Sequence, residues 1–166
     1  SIFDELAPPV FIDGRSADWT SETSYQLQPT AQRFEFFERS YASKLGLGVA
    51  FDYALDLGLE AIEARVVTLA ERLRAGLAEC DGIWVLDTGI RRCGIVTFDV
   101  AGRDAVEVST TLHERGINTG SPGISGSRYD VAARSVEAVV RAGVHYYNTE
   151  AEIDRLVAEA ASLVSS

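Results

Sequence analysis

The sequence has 166 residues, of which 46% are hydrophobic, so it is long enough for one globular domain with a core, or one domain plus an extended arm. Acidic residues outnumber basic ones by 25 to 15, and the net charge of −10 would repel nucleic acids and anionic membranes, so we expect neither as a partner. No apolar run approaches 18 residues and the N-terminus is not signal-like, which predicts a cytoplasmic location.

The content of cysteine and methionine gives two further expectations. Cys80 and Cys93 are too few for a disulfide framework and lack the spacing of a metal site, so we predict two buried apolar residues and no bound metal. The sequence contains no methionine, not even at position 1. We therefore expect that the chain has lost its translation start, through trimming before Ser1 or cleavage of a larger polypeptide.

The first 35 residues are predicted to be irregular, because their apolar patches are too short to build a core. Glycine and prolines interrupt the segment at Pro8, Pro9, Gly14 and Pro29. We interpret residues 1–35 as a linker or arm and residues 36–166 as the folded domain. The arm carries aromatic side chains, so we expect it to cover a surface of another part of the protein.

A helical pattern is predicted from about Arg33, and Gly58 divides it into two helices. The second helix has apolar residues at the three-four spacing of an amphipathic helix. These residues are Leu59, Ile62, Val66, Leu69, Leu73 and Leu77. Its polar side is expected to face solvent, and carries Glu60, Glu63, Arg72 and Arg74.

Two strand-like runs follow, at residues 83–87 and 94–100, and the turn-rich sequence TGIRR between them predicts a hairpin. Asp104 is suited to cap a helix that ends near Arg115, with Gly116 as its C-terminal stop. The sequence INTGS then predicts a short strand. The glycine- and serine-rich residues 120–127 have two interpretations, a loop that contacts an anion or closes as a lid, and a disordered connection.

The last strand is predicted over residues 139–147, followed by a helix. Alternation places Val140, Ala142, Val144 and Tyr146 on one face, and Arg141, Gly143, His145 and Tyr147 on the other. Thr149 and Glu152 fit the capping-box pattern, so the strand should end near Asn148. The order of elements predicts an α+β domain of two layers, with helices packed on one side of a mainly antiparallel sheet.

Two segments resemble a known family. They are QPTAQRFEFFERSYASKLGLGVAFDYALDLGLEAIEARV and VVRAGVHYYNTEAEIDRLV. They resemble the C-terminal part of class V pyridoxal-phosphate-dependent aminotransferases, nearest to the cysteine-desulfurase-like and epimerase-like members. The resemblance covers nearly the whole chain and implies the small C-terminal domain of a fold-type I enzyme. Pyridoxal phosphate would then be bound mainly by a large domain of the same polypeptide that this chain lacks, and the enzyme would act on an amino acid, as a homodimer.

The resemblance also implies a role for Arg141. In this family an arginine on the corresponding strand binds the α-carboxylate of the substrate, and a guanidinium can meet a carboxylate with two parallel hydrogen bonds. From spacing alone, the alternative is an arginine paired with an acidic neighbour at the sheet edge. His145 is a second substrate-binding candidate; its alternative is a structural histidine packed between tyrosines. We assign no catalytic or cofactor-binding residue, because the only lysine, Lys44, does not match the family's Schiff-base position.

The chemistry expected from the resemblance depends on a cysteine. Desulfurases of this type carry a nucleophilic cysteine on a loop near residues 118–128, and this sequence has none there. We therefore expect transferase or lyase chemistry without a protein persulfide: transamination, racemisation or epimerisation, or C–S bond cleavage. The isolated chain should be inactive. The alternative is a freestanding interaction or ligand-binding module that has the same fold and no catalytic role.

Overall fold

A computed structural model describes residues 2–123, 125, 128–129 and 136–164, with Asp4 described by its backbone only. The chain divides into two compact units, Ser1–Tyr53 and Ala54–Ser166. Residues 124, 126 and 127 lie outside the described part, and both interpretations of the loop at 120–127 depend on them.

The first unit contains a hairpin that the sequence did not reveal. A short helix α1 (Ile2–Glu5) precedes the antiparallel strands β1 (Ala17–Ser21) and β2 (Ser24–Leu27), and a 3-10 helix (Ala31–Phe34) follows. The prediction that the first 35 residues are irregular is wrong for the hairpin and the 3-10 helix. Both strands are short and almost entirely exposed, so no alternation of apolar and polar residues marks them in the sequence.

Two helices follow each other in the sequence, and the boundary between the units falls within the first of them. Helix α2 (Tyr41–Leu57) begins eight residues after the predicted start at Arg33, because Arg33 lies in the 3-10 helix, residues 35–40 are irregular, and Ser40 caps α2 by accepting a hydrogen bond from the backbone of its first turn. Helix α3 (Leu59–Ala78) follows directly. The predicted division at Gly58 is confirmed, and this glycine has φ 88°, a left-handed conformation that ends one helix and redirects the chain.

In its described residues, the second unit contains a three-stranded antiparallel sheet with helices packed on one face. Strands β3 (Ile83–Val85), β4 (Ile95–Val100) and β5 (Val140–Gly143) lie in the order β3-β4-β5. Helices α3, α4 (Ala105–Glu114) and α5 (Glu150–Val164) contribute to a single buried cluster with the inward residues of these strands. The largest fully buried members are Phe98, Leu69, Leu73, Leu77 and Leu112. The predicted α+β class, with helices on one side of an antiparallel sheet, is confirmed.

Local signals in the second unit predicted the structure well. Asp104 caps α4, since its Oδ1 accepts hydrogen bonds from Val106 N at 2.9 Å and Glu107 N at 3.2 Å. Gly116 has φ 75° just after that helix, as expected of a C-terminal stop. The predicted strand INTGS was wrong: in this segment only an isolated bridge, from Gly120 to β5, is described.

Three side chains differ from the burial predicted from sequence, and the smallest difference is that of Cys80, which is half-buried. Cys93 is exposed rather than buried, because it lies in the loop that enters β4. Arg74, predicted to face solvent, is only 4% exposed. A long polar side chain at the border of an apolar helical face can turn inward when a partner is present in the interior, and the partner of Arg74 comes from a different element.

The partner of Arg74 is Asp87, in the loop after β3. Arg74 Nε lies 2.6 Å from Asp87 Oδ2, and its other nitrogens donate to Glu71 Oε1 at 3.0 Å and to the carbonyls of Cys93 and Ile95, both at 2.9 Å. The second oxygen of Asp87 accepts hydrogen bonds from the backbone and hydroxyl of Thr97 in β4, at 2.7 and 2.5 Å. This network joins α3 to the sheet with few polar groups left unsatisfied.

We predict that Arg74→Met destabilises the protein by about 3–5 kcal/mol, since it leaves the Asp87 carboxylate without its cation in the interior. Denaturant-induced unfolding measures this loss. Arg72→Met is the matched control, because Arg72 lies on the same helix and pairs with Asp154, but that pair is exposed. Equal losses in the two variants would contradict the importance of the buried pair.

Candidate functional site

The backbone of Arg141 is held from both sides. Arg141 lies in β5 opposite Thr97 of β4. On its other side it exchanges two hydrogen bonds with Gly120, from Gly120 N to Arg141 O at 2.9 Å and from Arg141 N to Gly120 O at 2.7 Å. Because both edges of this residue are paired, the direction in which its side chain leaves the sheet is fixed.

The side chain of Arg141 lies on the face of the sheet opposite the one that α3, α4 and α5 cover. We name this the open sheet face, and define it by the outward residues of the three strands: Trp84, Ile95, Thr97, Asp99, Arg141 and Gly143. Arg141 is exposed, and its inward neighbours Val140 and Ala142 are buried. The open sheet face therefore carries a cation on strand β5.

The guanidinium of Arg141 has no ion pair or hydrogen bond among the residues that the structure describes. Other arginines in the second unit are paired with carboxylates: Arg65, Arg72, Arg74, Arg103 and Arg115. Arg155 also has no described carboxylate partner, but its guanidinium donates to the carbonyl of Arg115, whereas that of Arg141 has no described hydrogen bond. All five donors of this side chain can meet an incoming anion.

His145 lies beyond the end of β5. The strand ends at Gly143, and not near Asn148 as predicted, because Asn148 Oδ1 accepts a hydrogen bond from His145 N at 2.8 Å and Asn148 N donates to His145 O at 3.0 Å, which closes a turn. The strand alternation that would place Arg141 and His145 on one face stops between them. The missed signal is Asn148, whose side chain favours turns.

The ring of His145 packs on its neighbours. It stacks on Tyr147 with ring centroids 4.5 Å apart and an interplanar angle of 25°, and it lies 4.4 Å from the ring of Tyr146. His145 is nevertheless exposed, so its imidazole is oriented by aromatic contacts and open to solvent.

The junction between β5 and α5 is anchored to α3. Arg65 Nη2 donates to Asn148 O at 2.9 Å and to Glu150 Oε2 at 3.1 Å, and Arg65 Nη1 also contacts Glu150. The hydrogen bond from Arg65 lowers the pKa of Glu150 to about 2. The predicted capping box is confirmed, because Glu152 Oε2 accepts from Thr149 N at 2.8 Å and Thr149 Oγ1 accepts from Glu152 N at 3.3 Å.

A cavity of about 340 Å³ lies on the other side of β5. Ala142 and Val144, from the inward face of this segment, line it, and Arg141 and His145 do not. Its remaining lining residues come from the segment after α4, from Gly143 and the turn at Tyr147 and Asn148, and from the start of α5, where Glu152 and Arg155 lie. The two predicted substrate-binding residues therefore do not belong to this cavity.

Lys44 is the only lysine of the sequence, so its surroundings decide whether this chain could form a Schiff base with the cofactor. It lies on α2, is exposed, and α2 has no buried residue. A lysine that forms a Schiff base is activated by a desolvated pocket or by neighbouring cations, and no such enclosure surrounds Lys44 in the described part of the chain.

Comparison with known protein families gives a match over most of the chain. The profile of the family Aminotransferase class-V matches residues 3–156. The chain belongs to the class-V aminotransferase family. This confirms the resemblance seen in the two sequence segments.

Relatives of this class-V chain are much longer than the chain itself. A probable cysteine desulfurase of Methanothermobacter thermautotrophicus is 28% identical over 151 residues, which cover 89% of this chain and 38% of the relative. The structure of a cysteine desulfurase from Thermococcus onnurineus matches with a TM-score of 0.81 and 25% identity, over 99% of this chain and 41% of that one. A cysteine desulfurase from Escherichia coli has a TM-score of 0.77, also at 25% identity, over 94% and 39%. The class-V chain thus spans about two fifths of these proteins. No helix in the described part is long and apolar enough to cross a membrane.

The anchored junction generates a pH-dependent prediction. The pKa of Glu150 is lower in the folded protein than its ordinary value of 4.5, so its ion pair contributes full stability above pH 4.5 and loses it as the pH falls towards about 2. We expect Glu150→Gln to lower the unfolding midpoint near neutral pH, and the difference from the unmodified chain to shrink below pH 4.5.

Chemical denaturation at a series of pH values measures this difference. In the background of Arg65→Gln, the same Glu150→Gln change should have a much weaker pH dependence, because the partner is already absent. A difference that grows towards acid pH would contradict the assignment.

Proposed function

We propose that this chain is the small domain of a pyridoxal-phosphate-dependent class-V enzyme, and that Arg141 binds the α-carboxylate of its amino-acid substrate. The observation that supports this most is an exposed guanidinium whose backbone exchanges two hydrogen bonds with Gly120 and lies opposite Thr97 of β4, without an acidic partner in the described residues. Such a group is oriented in advance and does not have to break an existing ion pair before it binds an anion.

The chemistry of the guanidinium suits an amino acid. A carboxylate accepts two parallel hydrogen bonds from the planar fork, and this fixes the orientation of the substrate as well as its position. Gly143, the outward neighbour of Arg141 along β5, has no side chain, and nothing lies within 4 Å of where its Cβ would be. The space beside Arg141 is thus open for a ligand.

We assign His145 to the same site as a second polar contact. Its stacking on Tyr147 limits the rotation of the ring, and its backbone is held by the turn with Asn148. An imidazole fixed in this way can donate or accept a hydrogen bond at the end of β5. This role is secondary to that of Arg141, because the strand ends between the two residues.

The residues of this chain do not fit the cofactor itself. Lys44 is exposed on a helix without buried residues, so it offers no enclosed Schiff-base position. We therefore propose that a large domain of the same enzyme binds pyridoxal phosphate, and that the isolated chain is inactive. The span of the chain, about two fifths of its relatives, supports this division. In the proposal residues 1–35 are the linker and residues 36–166 the small domain, and the enzyme is a homodimer.

The reaction we propose is cleavage of a C–S bond in an amino acid. Several relatives are named cysteine desulfurases or probable cysteine desulfurases, which supports sulfur chemistry. The sequence between Asn118 and Arg128 has no cysteine, so this loop cannot carry a persulfide. Sulfur would then leave as free sulfide or as part of a small molecule. Transamination and epimerisation are distinguished from this reaction by their products.

We expect Arg141→Lys, in the intact enzyme that contains this chain, to raise KM for the amino acid roughly 10–100-fold, since an ammonium keeps the charge and loses the bidentate geometry. The bound pyridoxal phosphate, measured by absorbance, should be unchanged. Arg91→Lys is the control, because Arg91 is a highly exposed residue in the loop before β4. Unchanged KM in Arg141→Lys would reject the role of this residue.

A second prediction concerns sulfur. If no protein persulfide is needed, replacing both cysteines, by Cys80→Ala and Cys93→Ser, should leave the rate of sulfide release from the intact enzyme nearly unchanged. Cys93 is the relevant thiol, since it is exposed, and Cys80 is half-buried. Sulfide and the carbon product are quantified together. A loss of sulfide release in the Cys93→Ser variant alone would show that this thiol takes part, and would overturn the proposed reaction.

A further inference from the structure

Helix α2 carries exposed apolar side chains around much of its circumference, beside the charged residues Lys44, Asp52 and Asp56, and no described residue of the chain buries them. None of its 17 residues is buried. Leu45, Val49 and Phe51 are 74%, 69% and 60% exposed. Other large apolar residues of the helix are also exposed: Tyr41, Leu47, Tyr53, Leu55 and Leu57. An exposed apolar surface of this extent on a helix usually marks a contact with another protein surface, and we infer that α2 has such a partner.

Small residues form a continuous ridge along α2. Ala42, Gly46, Ala50 and Ala54 follow each other at intervals of four, so they lie on one side of the helix. Val49 and Tyr53 flank this ridge on the same side. Small residues in such a row let the backbone of another helix approach closely, and larger residues beside them fill the groove that results.

Among the described residues, no close contact accounts for Gly46, the glycine in this ridge. Glycine weakens a helix interior, so its presence usually reflects a close contact. In α3 that contact is visible, since a Cβ on Gly76 would lie 2.9 Å from Val157 of α5. For Gly46 nothing lies within 4 Å of the added atom. No described residue of the chain therefore occupies the space beside Gly46, and its place in the ridge leaves that space for a neighbouring surface.

We propose that α2 packs through this ridge against an apolar surface of the cofactor-binding domain of the same enzyme. The inference rests on the proposed function and adds the surface by which the two domains associate. The structure from Thermococcus onnurineus matches 99% of this chain, α2 included, and 59% of that protein lies outside the match. A domain of sufficient size to cover α2 thus accompanies the matched region in this relative.

A second copy of the chain is a weaker candidate for the occupant. A helix of 17 residues is about 26 Å long and about 10 Å wide, so one of its faces covers about 260 Å². A stable interface between two proteins buries about 800 Å² on each side. Two copies that each carry a net charge of −10 also repel each other.

The two interior glycines of α2 provide a matched pair of variants. Gly48 is as open as Gly46, and it lies on the opposite side of the helix from the ridge. In the isolated 166-residue chain, Gly46→Leu and Gly48→Leu should both leave the thermal midpoint unchanged or slightly raised, because leucine favours helix. In the intact enzyme, Gly46→Leu should lower the midpoint by several degrees and cause loss of most of the bound pyridoxal phosphate on gel filtration, whereas Gly48→Leu should not. Equal behaviour of the two variants in the intact enzyme would overturn the proposal.

A photo-crosslink identifies the occupant. A photoreactive phenylalanine analogue in place of Tyr53 should crosslink within the intact enzyme to the cofactor-binding domain, as identified by mass spectrometry of the peptides. The same analogue in place of the exposed Glu114 on α4 is the control. Crosslinks from position 53 to α2 of a second copy, to an unrelated protein or to nothing would each reject the proposed occupant.

The experiments distinguish failure of the proposed role of α2 from failure of the proposed role of Arg141. If Arg141→Lys leaves KM unchanged while Gly46→Leu releases the cofactor, the carboxylate role is wrong and the role of α2 stands. If Arg141→Lys raises KM while both glycine variants retain the cofactor, the reverse holds.

Discussion

The second unit depends on one buried ion pair, between Arg74 of α3 and Asp87 after β3. An arginine and an aspartate at this depth are stable only when their remaining hydrogen-bonding groups are satisfied, and here carbonyls of the chain entering β4 and the backbone and hydroxyl of Thr97 do so. Because Asp87 fixes Thr97, and Thr97 is the ladder partner of Arg141, the pair also determines where β5 lies against β4. A structural interaction within the domain thus positions the residue that we assign to substrate binding.

Arg74 of α3 and Arg141 of β5 have different roles in the same domain. Arg74 is enclosed, and its donors are used within the protein. Arg141 leaves the sheet on the open face, and its backbone alone is bonded among the described residues. The first arginine cannot be released without a large cost in stability, whereas the second is available to an anion. Two guanidinium groups of equal charge therefore differ in function because of their partners.

The features that the sequence predicted are those encoded by neighbouring residues. Gly58, the Asp104 cap, and the Thr149 and Glu152 box depend on contacts within a few residues, and all three were confirmed. The burial of Arg74 was missed because its partner is 13 residues away, in a loop whose path depends on the hairpin. The end of β5 was missed because the turn at Asn148 interrupts a pattern that alone favours a continued strand. Arg141 could be singled out from the sequence only because the family resemblance gave meaning to a cation in an otherwise apolar strand.

The central claim is that the guanidinium of Arg141 contacts the carboxylate of an amino acid. The most direct measurement is a crystal structure of the intact enzyme that contains this chain, loaded with pyridoxal phosphate and an unreactive amino-acid analogue. The account predicts both carboxylate oxygens within hydrogen-bond distance of the Arg141 guanidinium, with β5 unchanged. A carboxylate bound by other residues, with Arg141 turned away or paired with an acidic side chain, would contradict it.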